Sequence, residues 1–442
     1  MAKQYFNFFL RLISILIFIY AVICDLNNDF NFHLTIPLFV AIYIFFLLSR
    51  FSDDKPFLST FSFWFITFFF LYGVIWPIFY FYFNFSFFSS YYDEFSNLYT
   101  LNSSLISFSL FVILFSFTLK ETNAQYTVVS KNIDLRKLPL LYAYSTIIFS
   151  VVAITYYSNN LAIFALSGQD RIAIKDYVNV DFWYFLGSVS SASSIFVFTK
   201  LYSIKAVRKH FYIIMFLCSF YFLLDLSIGG RKFLIYFTII VIYQLSRSNQ
   251  LKPFKLLLIL SPVVLAMASR GAMDKVAWGE RSFIDFISGY AGEFIFTNIT
   301  SAITVYSNFT SCNIYSTPIN PYLSWVFYLV PRDVFLNKPY SVAMNFSSYM
   351  DVNMGFALTP LTESLCAFKY LGPYVFPLLF TGTFFIIYKL SKKWSFLYIL
   401  LLSMVMDINR GEYSYFITSY LSMVLFWVLL ERLTKIGGGD EK

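Results

Sequence analysis

Charge is what this sequence has least of. Only 13% of its residues are Asp, Glu, Lys or Arg, where a soluble domain carries about 25%. Histidine is scarcer still, with two in the chain. His33 sits alone at a helix start and His210 in a predicted cytoplasmic segment, so neither a His-based metal site nor a Ser-His-type triad is available. No P-loop lysine motif and no Gly-rich nucleotide fingerprint occurs. No Asp-x-Asp lies in the predicted outer loops, which leaves a metal-dependent sugar-nucleotide transferase without ligands. No cofactor and no metal is expected.

What is abundant is apolar surface. Hydrophobic residues make up 59% of the chain and the mean hydropathy is +0.67, more than any soluble fold of 442 residues can hide. The 58 Phe and 35 Tyr fit a composition bias as well as a functional cause. Apolar runs of about 17–25 residues recur along the length, each able to cross about 30 Å of hydrocarbon as a helix. They are too long and too evenly apolar for the alternating strands of a barrel. The expected fold is an all-α polytopic membrane protein with about twelve transmembrane helices, near 8–24, 34–49, 58–82, 103–119, 138–157, 182–199, 211–227, 232–246, 254–269, 373–389, 394–408 and 414–431. The first run follows Lys3 and Arg11 like a signal peptide but has no small-residue cleavage site, so it reads as a retained span.

Twelve spans put both termini on one side, and basic residues test which side that is. Twenty-one of the 32 Lys and Arg fall in the segments on the side of the termini, which are therefore expected in the cytoplasm. The net charge of +8 is topogenic and spread over short loops, so it does not imply nucleic acid. Residues 1–442 read as a single transmembrane domain, with 270–372 a large periplasmic loop inside it. A loop of that length is uncommon without a function. Its apolar stretches Phe283–Thr300 and Pro321–Val330 are expected to lie in the interface or re-enter the membrane. It also holds Cys312 and Cys366, in a compartment where disulfides persist; spacing alone does not establish that they meet.

Several basic residues lie outside against the rule: Arg231, Arg270, Arg281, Arg332, Lys338 and Arg410 among them. Arg is planar and permanently charged, and suits bidentate contact with phosphate. An outer cavity lined by such groups fits a lipid-linked pyrophosphate. The competing reading pairs each with a nearby acid, Arg332 with Asp333 or Arg281 with Glu280 or Asp285, or lets it snorkel to a headgroup.

The order of several motifs resembles a known family. Gly229-Gly230-Arg231 lies in a tight turn between two spans, and Arg281 is followed after ten residues by Gly292. Pro331-Arg332 and Lys338-Pro339 come next, then Gly355, Pro360, Glu363, Phe368, Gly372 and Gly382. In this the chain resembles the bacterial O-antigen polymerases, the Wzy-type oligosaccharide repeat-unit polymerases. Counting eleven on from Arg332 gives Ala343, so the Arg-x10-Gly motif has no second copy. The resemblance implies a membrane glycosyltransferase facing the periplasm of the bacterial inner membrane. It would transfer a growing glycan from undecaprenyl pyrophosphate to a new undecaprenyl-pyrophosphate-linked oligosaccharide unit. A flippase and a chain-length regulator would be its partners.

That chemistry needs no nucleotide, since the sugar–pyrophosphate bond supplies the driving force. Fixed positive charge would stabilise the leaving diphosphate: Arg231, Arg270, Arg410 and Lys338 are the expected binders, with Arg281 and Arg332 acting catalytically. A base must take the proton of the acceptor hydroxyl. With no suitable histidine it is expected to be Glu363, then Glu293 or Asp351. Aromatic residues around 322–328 serve either to stack on sugars or to anchor the loop at the interface. Two alternatives share part of this pattern: an O-antigen ligase, for which an external histidine is missing, and a lipid-linked oligosaccharide flippase, whose loops are usually short.

Overall fold

Residues 2–51, 57–85, 88–118, 134–158, 180–202, 204–227, 230–248, 250–273, 283–313, 320–327, 341–351 and 358–434 are described by the computed structural model. Among them the chain is helical, with no strand. Nine of the described helices are long and apolar enough to cross a membrane, so the chain is a multi-pass helical membrane protein.

The helices are α1 (Ala2–Asn27), α2 (Phe32–Phe51), α3 (Phe61–Phe83), α4 (Glu94–Thr118), α5 (Leu138–Ser158), α6 (Val180–Leu201), α7 (Arg208–Ser227) and α8 (Lys232–Arg247). They continue as α9 (Pro253–Met273), α10 (Phe283–Tyr306), α11 (Val342–Tyr349), α12 (Pro360–Phe368), α13 (Gly372–Ser391), α14 (Ser395–Ser403), α15 (Val405–Arg410) and α16 (Tyr413–Thr434).

Three features depart from the hydropathy reading. Helix α4 begins well before the expected span, because Asp93 and Ser96 cap it reciprocally: the Ser96 amide donates to Asp93 Oδ1 at 2.7 Å and the Asp93 amide to Ser96 Oγ at 3.1 Å. Its polar Ser96, Asn97 and Thr100 are buried in protein, with Trp76 Nε1 donating to Asn97 Oδ1 at 2.8 Å. The run expected as one span over 394–408 breaks at Met404 into α14 and α15. Finally, Phe283–Tyr306 forms one continuous helix. It is a 24-residue helix, about 36 Å long at about 1.5 Å per residue, packed against α3 and α4. Hydropathy under-reads it because Thr297, Asn298, Thr300, Ser301 and Thr304 lie in its buried half.

The chain divides into two compact units. The first comprises 1–123, 281–389 and 405–418. Its core is a ladder of phenylalanines. Phe69 packs on Phe108 and Phe376, and Phe65 on Phe111 and Phe384. Lower down, Phe61 meets Phe384. Lipid is as apolar as these rings, so they gain by close packing rather than by leaving water, each pair adding about 0.5–1.5 kcal/mol. Gly73 admits Phe39 to the ladder, since a Cβ there would lie 2.8 Å from its Cζ.

These contacts fix direction. Residue numbers rise on α3 as they fall on α4 and α13, so both run antiparallel to it. Tyr72 meets Phe294 at 4.8 Å, and Trp76 and Phe79 cluster with Ile299, Ala302 and Ile303, so α10 runs parallel to α3. One end of the unit therefore gathers the end of α1, the starts of α2 and α4, and the ends of α3 and α10. Asp25, Asp29, Asp93 and Glu94 lie at that end, whereas Arg11, Arg50 and Lys389 lie at the other. The Cys312–Cys366 disulfide joins the segment after α10 to α12 near the acidic end, where Tyr370 packs on both Phe309 and Tyr99.

The second unit comprises 124–280, 390–404 and 419–442. Helix α6 packs against α7 and α8, and its Ser188, Ser190, Ser191, Ser193 and Ser194 are buried and small enough for close approach. Asp225 is buried near the end of α7 and accepts from Trp183 Nε1 at 3.1 Å.

Candidate functional site

The most constrained polar residue of the first unit is Glu363, and its surroundings show why it stays where it is. Helix α12 is nine residues long, too short to be stable alone. Thr359 caps it, accepting from the Thr362 amide, and Pro360 opens it. Four hydroxyls then clamp it to α10. Thr300 lies 3.0 Å from Thr362, and Ser301 lies 2.7 Å from Thr362 and 3.1 Å from Thr359. At the other end Ser364 Oγ donates to the Gly372 carbonyl at 2.8 Å, and Cys366 is bonded to Cys312.

Glu363, between these ties, is 0% exposed. Its Oε2 accepts the Tyr413 amide, and the Ser414 amide also faces the carboxylate. These are the first two amides of α16, whose N-terminal dipole favours negative charge. Oε1 is buried with no hydrogen-bond partner among the described residues.

A second carboxylate stands beside it. Glu412 is 7% exposed and its Oε1 accepts the Ala343 amide at 2.9 Å, with the Val342 amide also facing it. It caps α11 as Glu363 caps α16. Burial pushes the Glu412 carboxyl up from the ordinary carboxylate range, against the two amides. Among the described residues no Lys or Arg pairs with either acid. Tyr322, on the 3-10 segment Pro321–Phe327, packs on Phe368 and Tyr413. Burial and the nearby Glu363 charge raise its hydroxyl pKa. The segment is pinned by Ser414 Oγ donating to the Pro321 carbonyl at 2.7 Å and by Ser324 Oγ donating to Ser414 Oγ at 2.6 Å.

The other expected residues distribute unevenly. Arg410 ends α15 in the same unit, half-buried, two residues before Glu412. Arg231 belongs to the second unit, where it is buried as the N-cap of α8. The Gly230 amide before it donates to the Asp225 carbonyl at 2.6 Å, and a side chain at Gly230 would strike the Asp225 carboxylate. Asp351 is exposed, with a left-handed backbone at φ 50°, and is no buried base. Arg270 lies on α9 and Glu293 on α10, but their side chains lie outside the description. Arg281, Arg332 and Lys338 lie outside the described residues.

Glu412 is the residue that the sequence reading missed. Its signal was present: Asp407, Asn409, Arg410 and Glu412 interrupt the apolar run between α14 and α16. Read as a short outer loop, they would be solvated. Instead Asp407, Asn409 and Glu412 are buried, and Asn409 Nδ2 donates back to the Val405 carbonyl at 2.9 Å.

No family model, curated protein or solved structure matches this chain.

Proposed function

We propose that this protein is a membrane glycosyltransferase that polymerises lipid-linked oligosaccharide units, with Glu363 as its base. The observation that carries the reading is the buried Oε1 of Glu363, which has no hydrogen-bond partner among the described residues, on a carboxylate whose other oxygen is fixed by the Tyr413 amide. A carboxylate so held has one oxygen committed to structure and one left for chemistry. The acceptor sugar hydroxyl attacks the anomeric carbon of the donor glycan, and its proton passes to Oε1. The bond from that carbon to the diphosphate breaks, and undecaprenyl pyrophosphate leaves with the electron pair. Arg410, in the same unit as Glu363, is assigned to the departing negative charge, as the sequence reading also assigns Arg281, Arg332 and Lys338.

Sidedness has independent support. Arg11, Arg50 and Lys389 share one end of the first unit, which the positive-inside rule assigns to the cytoplasm. The Cys312–Cys366 disulfide belongs to the opposite end, as an oxidising compartment requires. Glu363 is three residues from Cys366, which this reading puts on the external side, where the reaction runs without ATP. The location is then the bacterial inner membrane, with the site facing the periplasm and a flippase and a chain-length regulator as partners.

Expression in a strain lacking its own polymerase tests the reading. The wild type restores a ladder of glycan lengths on lipopolysaccharide gels. Glu363→Gln, inserted at equal level, leaves a single-unit band, because losing a general base costs about 10²–10⁴-fold in rate. A full ladder from Glu363→Gln removes the base assignment.

The break between α14 and α15 and the buried acids favour one other reading, a proton-coupled carrier of the same lipid-linked units. It predicts units accumulating on the cytoplasmic face in the null strain.

A further inference from the structure

The two acids have a consequence beyond the base itself. Glu363 and Glu412 are 0% and 7% exposed, each turned onto the first amides of a different helix, and Glu363 accepts the amide of Tyr413, the residue directly after Glu412, so that the two charges oppose each other. Among the described residues, the elements around them bring little to offset two negative charges. Helix α10 presents the hydroxyls of Thr300 and Ser301, and the Pro321–Phe327 segment presents Tyr322. Helix α11 presents the Val342 and Ala343 amides, and α16 presents Tyr413. Helix α15 carries Asp407 and Arg410, and neither pairs with Glu363 or Glu412. Two buried carboxylates in such a setting cannot both ionise near neutral pH, and their protons come off in coupled steps that belong to the pair.

We propose that Glu363 and Glu412 hold one proton between them at rest, so that Glu412 sets the basicity with which Glu363 takes the acceptor's proton. Glu412 is thus a positioning residue, acting through Glu363 rather than on the substrate. In the resting pair one acid is neutral and one charged. After the transfer both are neutral, and one proton is then released to the external side. The inference rests on the reading of Glu363 as the base. It also explains why that base stays serviceable at neutral pH: each carboxylate faces two helix-end amides that favour its charge, and the partner's negative charge opposes them.

Infrared titration of the full chain in lipid nanodiscs tests this without any substrate. The carbonyl stretch of a protonated carboxylic acid is followed against pH for the wild type, Glu363→Gln, Glu412→Gln and the double variant. The wild type is expected to show, relative to the double variant, one protonated acid at neutral pH. Each single variant is expected to titrate its remaining acid lower, by on the order of one pH unit or more. No neutral-pH difference between wild type and double variant, or an unmoved midpoint in both single variants, overturns the proposal. If one single variant does not fold, the other reports on the same coupling from the opposite side. The pH profile of ladder formation supplies the second readout, its acid limb moving to lower pH in Glu412→Gln. A shifted infrared midpoint with no ladder from the wild type at any pH keeps the shared proton and removes the polymerase reading. A ladder whose profile and midpoint ignore Glu412→Gln removes the shared proton alone.

Discussion

Replacing Gly372 by alanine sets two effects of opposite sign against each other. Gly372 is the first residue of α13, with ordinary helical angles of φ −48° and ψ −52°. Nothing in its backbone requires glycine. Helix propensity alone therefore favours alanine by up to about 1 kcal/mol, less at a helix start. The contacts say otherwise. A Cβ at 372 would lie 2.8 Å from both the carbonyl carbon and oxygen of Ser364 and 2.9 Å from the Leu365 nitrogen. All three are backbone atoms of α12, a helix clamped by hydroxyls and a disulfide, so no flexible side-chain tip can move aside. Overpacking of this kind costs about 1–3 kcal/mol, and shifting α12 also strains the hydrogen bond from Ser364 to Gly372. The net expectation is destabilisation by about 1–2 kcal/mol. Gly382, on the same helix, is the control: a Cβ there meets nothing within 4 Å, so Gly382→Ala is expected to be neutral or stabilising by up to about 1 kcal/mol. Thermal unfolding in one detergent, read by tryptophan fluorescence, compares the two. A Gly372→Ala protein as stable as Gly382→Ala would refute the close approach of α13 to α12, and with it the rigid seat assigned to Glu363.

Two further outcomes follow from the same neighbourhood. The Cys312–Cys366 bond closes a loop of sequence separation 54, so the paired Cys→Ser variant is expected to lose about 4 kcal/mol on the chain-entropy account. Its thermal midpoint should then fall to that of the reduced wild type, and an unchanged midpoint would show the link to be dispensable. Burial raises the Glu412 carboxyl above its ordinary value of 4.5, so the native state binds its proton more tightly than the unfolded chain does. Stability from this group is therefore present at and below that value and declines as pH rises above it. Glu412→Gln should flatten this decline in unfolding midpoints measured from acid to mildly alkaline pH, and an equally steep fall in the variant would show the group to be ionised in both states.

Part of the candidate site was legible in the chain and part was not, for identifiable reasons. Glu363 stood out because the chain has no suitable histidine and this outer carboxylate falls in the motif order that carries the family resemblance. Glu412 did not, because a charge between two spans reads as a solvated loop residue. Burial came from packing against α11, 69 residues earlier at its nearest hydrogen bond. Helix α10 was under-read for a related reason. Its hydroxyls lower the hydropathy, yet Thr300 and Ser301 find partners 58–62 residues away on α12 and Thr359 rather than in water.

The sequence alone determined the membrane and the helical class. Both depend on local apolar length, a quantity additive along the chain. Tertiary structure decided which polar residues are buried, and that two acids far apart in sequence share one hydroxyl- and amide-lined corner of the first unit. Such a meeting depends on how α10, α11, α12 and α16 pack together, and packing between distant segments leaves no periodic mark in any one of them.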